Sequence, residues 1–167
     1  KVMGTHPHEW FMFHGAQCGY KRANYLGMEA WANTYQGDLG IALTDTYTSD
    51  VFFRNFSKVH AKLFDGIRQD SGDEYEFTDK AIARYKELGI NPLTKTIIFS
   101  NALDFVKAGK IAEYCRGKIG FAFGIGTNLT NDLGVPHANI VMKLTKCKMN
   151  ERQPEEYTIK LSDDLGK

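Results

Sequence analysis

The strongest constraint on this chain is a repeated alternation: short runs of consecutive apolar residues are separated by longer stretches with helical spacing. The runs fall at residues 39–43, 96–100, 119–123 and 140–144, with a weaker one at Gly66-Ile67-Arg68. Such runs, rich in Ile, Val and Phe, suit strands buried on both faces, as in a parallel sheet. Between 73 and 88, Phe77, Ala81, Ile82, Tyr85 and Leu88 share one helical stripe. Acidic residues open that segment, and Gly89 and Pro92 close it. Residues 20–35 and 103–114 also read as helical, the second closing near Gly117. Strands alternating with helices predict a parallel α/β architecture with right-handed crossovers. A complete (β/α)8 barrel needs ~250 residues, and this chain has 167. The expectation is part of an incomplete TIM-like α/β barrel, with a small doubly wound sheet as the alternative. No repeat, linker or low-complexity stretch breaks the pattern, so residues 1–167 read as a single unit.

Composition removes several function classes. A net charge of +1 implies no broad nucleic-acid footprint, so any anion site must be local. Cys18, Cys115 and Cys147 are odd in number and far apart. They suggest neither a zinc knuckle nor a disulfide framework, and a reducing cytoplasm suits them. No stretch approaches the ~20 apolar residues of a membrane span. The chain opens directly on Lys1-Val2-Met3-Gly4 and stops at Asp164-Leu165-Gly166-Lys167. It therefore reads as a piece of a longer polypeptide.

In parallel α/β folds the active residues sit at the C-terminal ends of strands. Polar clusters fall at four such places: Asp45-Thr46, Arg68-Gln69-Asp70-Ser71-Gly72-Asp73, Ser100-Asn101 and Gly124-Ile125-Gly126-Thr127. The two glycines of the last run let backbone N–H groups approach an anion, and Thr127 adds a hydroxyl. A plain tight turn is the other reading. Asp70 can hold sugar hydroxyls or Mg²⁺, which prefers one or two carboxylates plus phosphate oxygens. Arg68 can grip a carboxylate in bidentate fashion. An ordinary turn with Ser71 or Asp73 as helix N-cap is the alternative there. In Gly4-Thr5-His6-Pro7-His8-Glu9-Trp10, the spacing of His6, His8 and His14 matches no common zinc signature. Two readings of His8 stay open: a helix start helped by Pro7, or a reacting imidazole at a strand end beside a phosphate loop. His60 and His137 read as surface or packing residues. Phe52-Phe53-Phe56 and the Trp10, Phe11 and Phe13 group read as core.

Taken in order, these runs resemble the nicotinate phosphoribosyltransferase family. The matching pieces are Met3 to Phe11, Leu39-Gly40-Ile41-Ala42-Leu43-Thr44-Asp45, Arg68 to Asp73, Phe99 to Asp104, Phe123 to Leu129 and Lys160-Leu161-Ser162-Asp163. The resemblance implies a type II phosphoribosyltransferase. It would convert nicotinate and phosphoribosyl pyrophosphate to nicotinate mononucleotide and pyrophosphate, coupled to ATP hydrolysis, in NAD salvage. It implies that His8 becomes a phosphohistidine and that Asp70 supports the reaction, with Asp45 behind it as a candidate Mg²⁺ ligand. Thr5, Arg68, Ser71, Ser100, Asn101, Gly124, Gly126 and Thr127 are then expected to bind substrate. Arg68 would face the pyridine ring and its carboxylate, and the glycine loop the ribose 5-phosphate. The resemblance also implies a cytoplasmic homodimer, an N-terminal domain absent from this chain, and an isolated fragment that is inactive or impaired. A nicotinamide- or quinolinate-specific relative and a non-catalytic phosphosugar-binding protein are the competing readings.

Overall fold

A computed structural model describes residues 3–131, 133–138 and 140–164. Helix α1 (His8–Cys18) and a short 3₁₀ turn lead into α2 (Ala23–Tyr35). Strand β1 (Ile41–Leu43) is followed by α3 (Ser49–Asn55) and α4 (Lys58–Leu63). Then come β2 (Gly66–Gln69), α5 (Glu74–Glu87), β3 (Thr96–Phe99), α6 (Phe105–Cys115) and β4 (Gly120–Phe123). The four strands form one sheet in the order β1-β2-β3-β4, and every pairing is parallel. Thr5 adds an isolated parallel bridge beside Ile41. This is the expected α/β class: an open parallel sheet, compatible with an arc of an incomplete barrel.

The strands form where side chains can be buried on both faces. Ile41, Ala42, Leu43, Ile67, Ile97 and Phe99 are all buried. Phe52, Phe77 and Tyr85 from the helices, with Phe56 and Phe64 at the C-caps of α3 and α4, meet them in one core cluster. Each large apolar side chain buried in this way contributes about 1.5–3 kcal/mol. The sheet tolerates no side chain at position 66, where an added Cβ would lie 2.0 Å from the Thr96 carbonyl oxygen. Asp73 caps α5, accepting from the Tyr75 and Glu76 N–H groups, and that leaves Ser71 free for another role.

Several expectations are corrected. Residues 140–144 form no strand; Ile140, Val141 and Met142 are 80%, 68% and 86% exposed. An apolar run predicts a buried strand only if a partner edge lies beside it, and no described residue provides one. The described strands after β4 are β5 (Lys146–Cys147) and β6 (Glu156–Tyr157), a short antiparallel pair. The first apolar run becomes a strand only from Ile41, because Leu39 turns with a positive φ of 51°. Of the two readings of His60, packing is the one that holds: it is fully buried on α4 and bonds Glu29 on α2 at 2.7 Å. The helix after the glycine loop, α7 (Thr127–Thr130), is a single turn.

Candidate active site

With all four strands parallel, their C-terminal ends share one rim. From β1 this rim receives Thr44, Asp45 and Thr46; from β2, Asp70 and Ser71; and from β3, Ser100. His8 reaches the same place from the first residue of α1, where Pro7 stands as the N-cap. The helix-start reading of His8 therefore holds, and that helix start is what carries the imidazole to the rim.

The cluster is closely knit. His8 Nδ1 lies 3.1 Å from Thr46 Oγ1, and His8 Nε2 lies 3.1 Å from Asp70 Oδ2. Asp45 Oδ1 stands 3.8 Å from the same Nε2. Ser71 donates to Asp45 Oδ2 at 2.6 Å. Asp70 Oδ1 accepts from Arg68 Nη2 at 2.8 Å and from Ser100 Oγ at 2.6 Å. Arg68 Nε also donates to Ser100 Oγ at 2.8 Å. The two carboxylates differ in character. At Asp45, burial is the largest influence and pushes the carboxyl up, against the nearby His8 and the Ser71 hydrogen bond. Burial opposes ionisation of Asp70 as well, but hydrogen bonds from His8 and Ser100 and the Arg68 guanidinium outweigh it. They hold that carboxyl well below the usual carboxylate range.

Not every expected residue joins this cluster. Thr5 pairs beside Ile41, and its buried hydroxyl has no hydrogen-bond partner among the described residues. Asn101 lies against the neighbouring turn, with Nδ2 3.4 Å from the Gly72 carbonyl. The Gly124 N–H is committed to the Phe99 carbonyl at 2.8 Å, so it extends the ladder and is not available to an anion. Gly124 and Gly126 nonetheless line a cavity of about 350 Å³ with Ser100, Thr127, Asn128 and His137. A Cβ added at Gly124 would meet Ser100 at 3.3 Å, whereas one at Gly126 would point into open space. His137 thus borders the glycine loop, which its sequence neighbours do not suggest. Sequence reasoning also assigned no role to Thr46 or Asp163. Thr46 belongs to the polar cluster at the end of β1, but its contact with His8, 38 positions away, has no local signal. Asp163 reaches Ser49 from more than a hundred residues away, and no local pattern encodes that contact.

The model of the nicotinate phosphoribosyltransferase (NAPRTase) family matches residues 1–167. The chain belongs to the nicotinate phosphoribosyltransferase family. It is 57% identical over 163 residues to the nicotinate phosphoribosyltransferase of Chromohalobacter salexigens, covering 98% of this chain and 42% of that protein. It is 52% identical to the enzyme of the same name from Desulforapulum autotrophicum, covering 100% of this chain and 43% of that one. The crystal structure of nicotinate phosphoribosyltransferase from Porphyromonas gingivalis superposes with a TM-score of 0.96 at 58% identity, over 100% of this chain and 43% of that one. The enzyme from Vibrio cholerae gives 0.77 at 46% identity, over 80% of this chain and 32% of its own. The chain therefore spans less than half the length of these family members.

Proposed function

We propose that the longer polypeptide represented by this chain transfers the phosphoribosyl group of phosphoribosyl pyrophosphate to nicotinate, with ATP hydrolysis coupled through His8. The observation that carries this reading is the seating of His8 between Thr46 and Asp70, on the same rim as the glycine-lined cavity.

The chemistry follows from the hydrogen bonds. An ionised Asp70 can only accept, so the His8 Nε2 facing it carries a proton. In the neutral ring the lone pair then lies on Nδ1. That nitrogen attacks the γ-phosphorus of ATP; the N–P bond forms as the P–O bond to ADP breaks, and water later takes the phosphoryl group from Nδ1 as phosphate, which completes the hydrolysis and frees the ring. Thr46, whose hydroxyl meets Nδ1, must turn aside for this step. Proximity and fixed orientation supply the advantage. In the second reaction the pyridine nitrogen of nicotinate bonds to the ribose C1 as pyrophosphate departs. Positive character develops at that carbon, and the Asp70 and Asp45 carboxylates stabilise it. Arg68, fixed by Asp70 and Ser100, has donors remaining for the carboxylate of nicotinate.

The site also fits a divalent cation. Asp45 and Asp70 stand beside His8 with candidate ligand atoms within 4.8 Å of one another, and Asp45 Oδ1 is buried with no hydrogen-bond partner among the described residues. Two hard oxygen donors suit Mg²⁺, which when bound would neutralise charge on the pyrophosphate leaving group.

The test uses the full-length protein with radiolabelled ATP. A label on the protein that survives base, is lost in acid and is absent from His8→Ala supports the phosphohistidine. Absence of any acid-labile label rejects it. Turnover of nicotinate, nicotinamide and quinolinate is compared in parallel, with nicotinate expected to be preferred.

A further inference from the structure

We infer that residues Leu161 to Asp164 form a positioning strap that fixes both flanks of His8, with Asp163 as its anchor. The inference rests on the proposed phosphoryl-accepting role of His8. The strap enters from the end of the described chain and crosses the rim at β1 and β2. Leu161 N–H donates to the Thr46 carbonyl at 2.7 Å, and Thr46 is the residue whose hydroxyl meets His8 Nδ1. Two residues on, Asp163 N–H donates to Ser71 Oγ at 3.0 Å. A serine hydroxyl that accepts on one side has its own hydrogen free for the other. Ser71 sends that hydrogen to Asp45, the second carboxylate facing His8 Nε2. One short segment therefore sets the Nδ1 side through Thr46 and the Nε2 side through Ser71 and Asp45.

The seat of the strap is specific. The Asp163 carboxylate takes the Ser49 N–H at 2.8 Å and the Ser49 hydroxyl at 2.5 Å. Asp164 Oδ1 accepts from the Gly72 N–H at 2.9 Å. Gly72 has a φ of 79°, and a Cβ added there would come within 3.0 Å of Asp163 Cβ. The turn after β2 is bare where the strap crosses it. None of these hydrogen bonds touches His8 itself, so their effect is indirect.

The experiment uses the full-length protein and its Asp163→Ala, Asp163→Asn and Ser71→Ala variants, with the Asp163→Ala/Ser71→Ala double variant. Asp163→Ala is expected to lower kcat roughly 10- to 100-fold, the loss typical when a supporting contact lets a reacting group drift. The KM for nicotinate should stay within threefold. Asp163→Asn retains an oxygen for the Ser49 N–H and should recover most of the rate. If both residues act on Asp45 along one chain of contacts, the double variant is no slower than the slower single variant. A second readout does not depend on turnover: the rate at which diethyl pyrocarbonate modifies His8, measured on its peptide by mass spectrometry. It should change several-fold in Asp163→Ala and Ser71→Ala and little in Asp163→Asn. If the wild-type protein transfers no phosphoribosyl group, the functional reading fails, and the modification rates still decide the strap. Should Asp163→Ala not fold, Ser71→Ala, which removes one hydroxyl, decides the matter. Wild-type kcat and wild-type His8 modification in Ser71→Ala, or fully multiplicative losses in the double variant, would overturn the inference.

Discussion

His6 lies two residues before His8, and its environment keeps it neutral. It is fully buried, with its ring 4.4 Å from Trp31 and 4.9 Å from Phe11. Its Nδ1 accepts the Leu43 N–H at 3.4 Å, taking up a strand donor just where the chain leaves the side of β1. Burial lowers its pKa from 6.5 to about 3. A histidine depressed in this way binds its proton in the unfolded chain first, so stability is lost as pH falls from 6.5 towards 3. The loss is about 1.4 kcal/mol per pH unit inside that window. His6→Met should cost about 1–3 kcal/mol at pH 7 by leaving the Leu43 N–H unpaired. It should also flatten the slope between pH 6.5 and 3; urea midpoints across that range measure both effects. Asp70 makes its own acid-sensitive contribution, present above the ordinary carboxylate value and lost as pH falls below it. For activity, Asp70→Asn should lower kcat roughly 10²- to 10⁴-fold, because an amide can present N–H to Nε2 and leave the proton on Nδ1. Steady-state kinetics on the full-length protein checks this.

At the scale of elements, the sheet depends on close backbone approach between β2 and β3. Gly66→Ala would force a methyl group against the Thr96 carbonyl. A loss of about 3 kcal/mol or more is expected, seen as a lower urea midpoint or failure to fold. Asp73→Ala removes the α5 cap and should cost about 1 kcal/mol in the same measurement. Strands β1, β3 and β4 were legible because buried parallel strands read as apolar runs, and β2 was legible only weakly because Arg68 and Gln69 break its run. Helices α3 and α4 were not, since seven and six residues are too few to establish a helical period. Their caps, Thr48 and Ser57, are the signal that was present and unused.

For the whole molecule, the exposed apolar run at Ile140, Val141 and Met142 and the partly exposed edge strand β4 matter most. Exposed apolar surface of this kind suits a covering partner. Residues 1–167 alone are expected to show no phosphoribosyl transfer and to bind an apolar dye such as ANS. The full-length protein should do the reverse. Measurable transfer by residues 1–167 alone would contradict this.

The sequence by itself determined the α/β class, the position of each polar cluster at a strand end, and the chemical kind of residue available there. Those properties follow from local periodicity and side-chain chemistry, which adjacent residues carry. Only the tertiary structure decided that His8 stands between Thr46 and Asp70, that Ser71 serves Asp45 instead of capping α5, and that Asp163 closes over the rim. These contacts join residues 26 to 114 positions apart. Such pairings depend on strand order and register, which are set when the buried faces of sheet and helices pack into a common core.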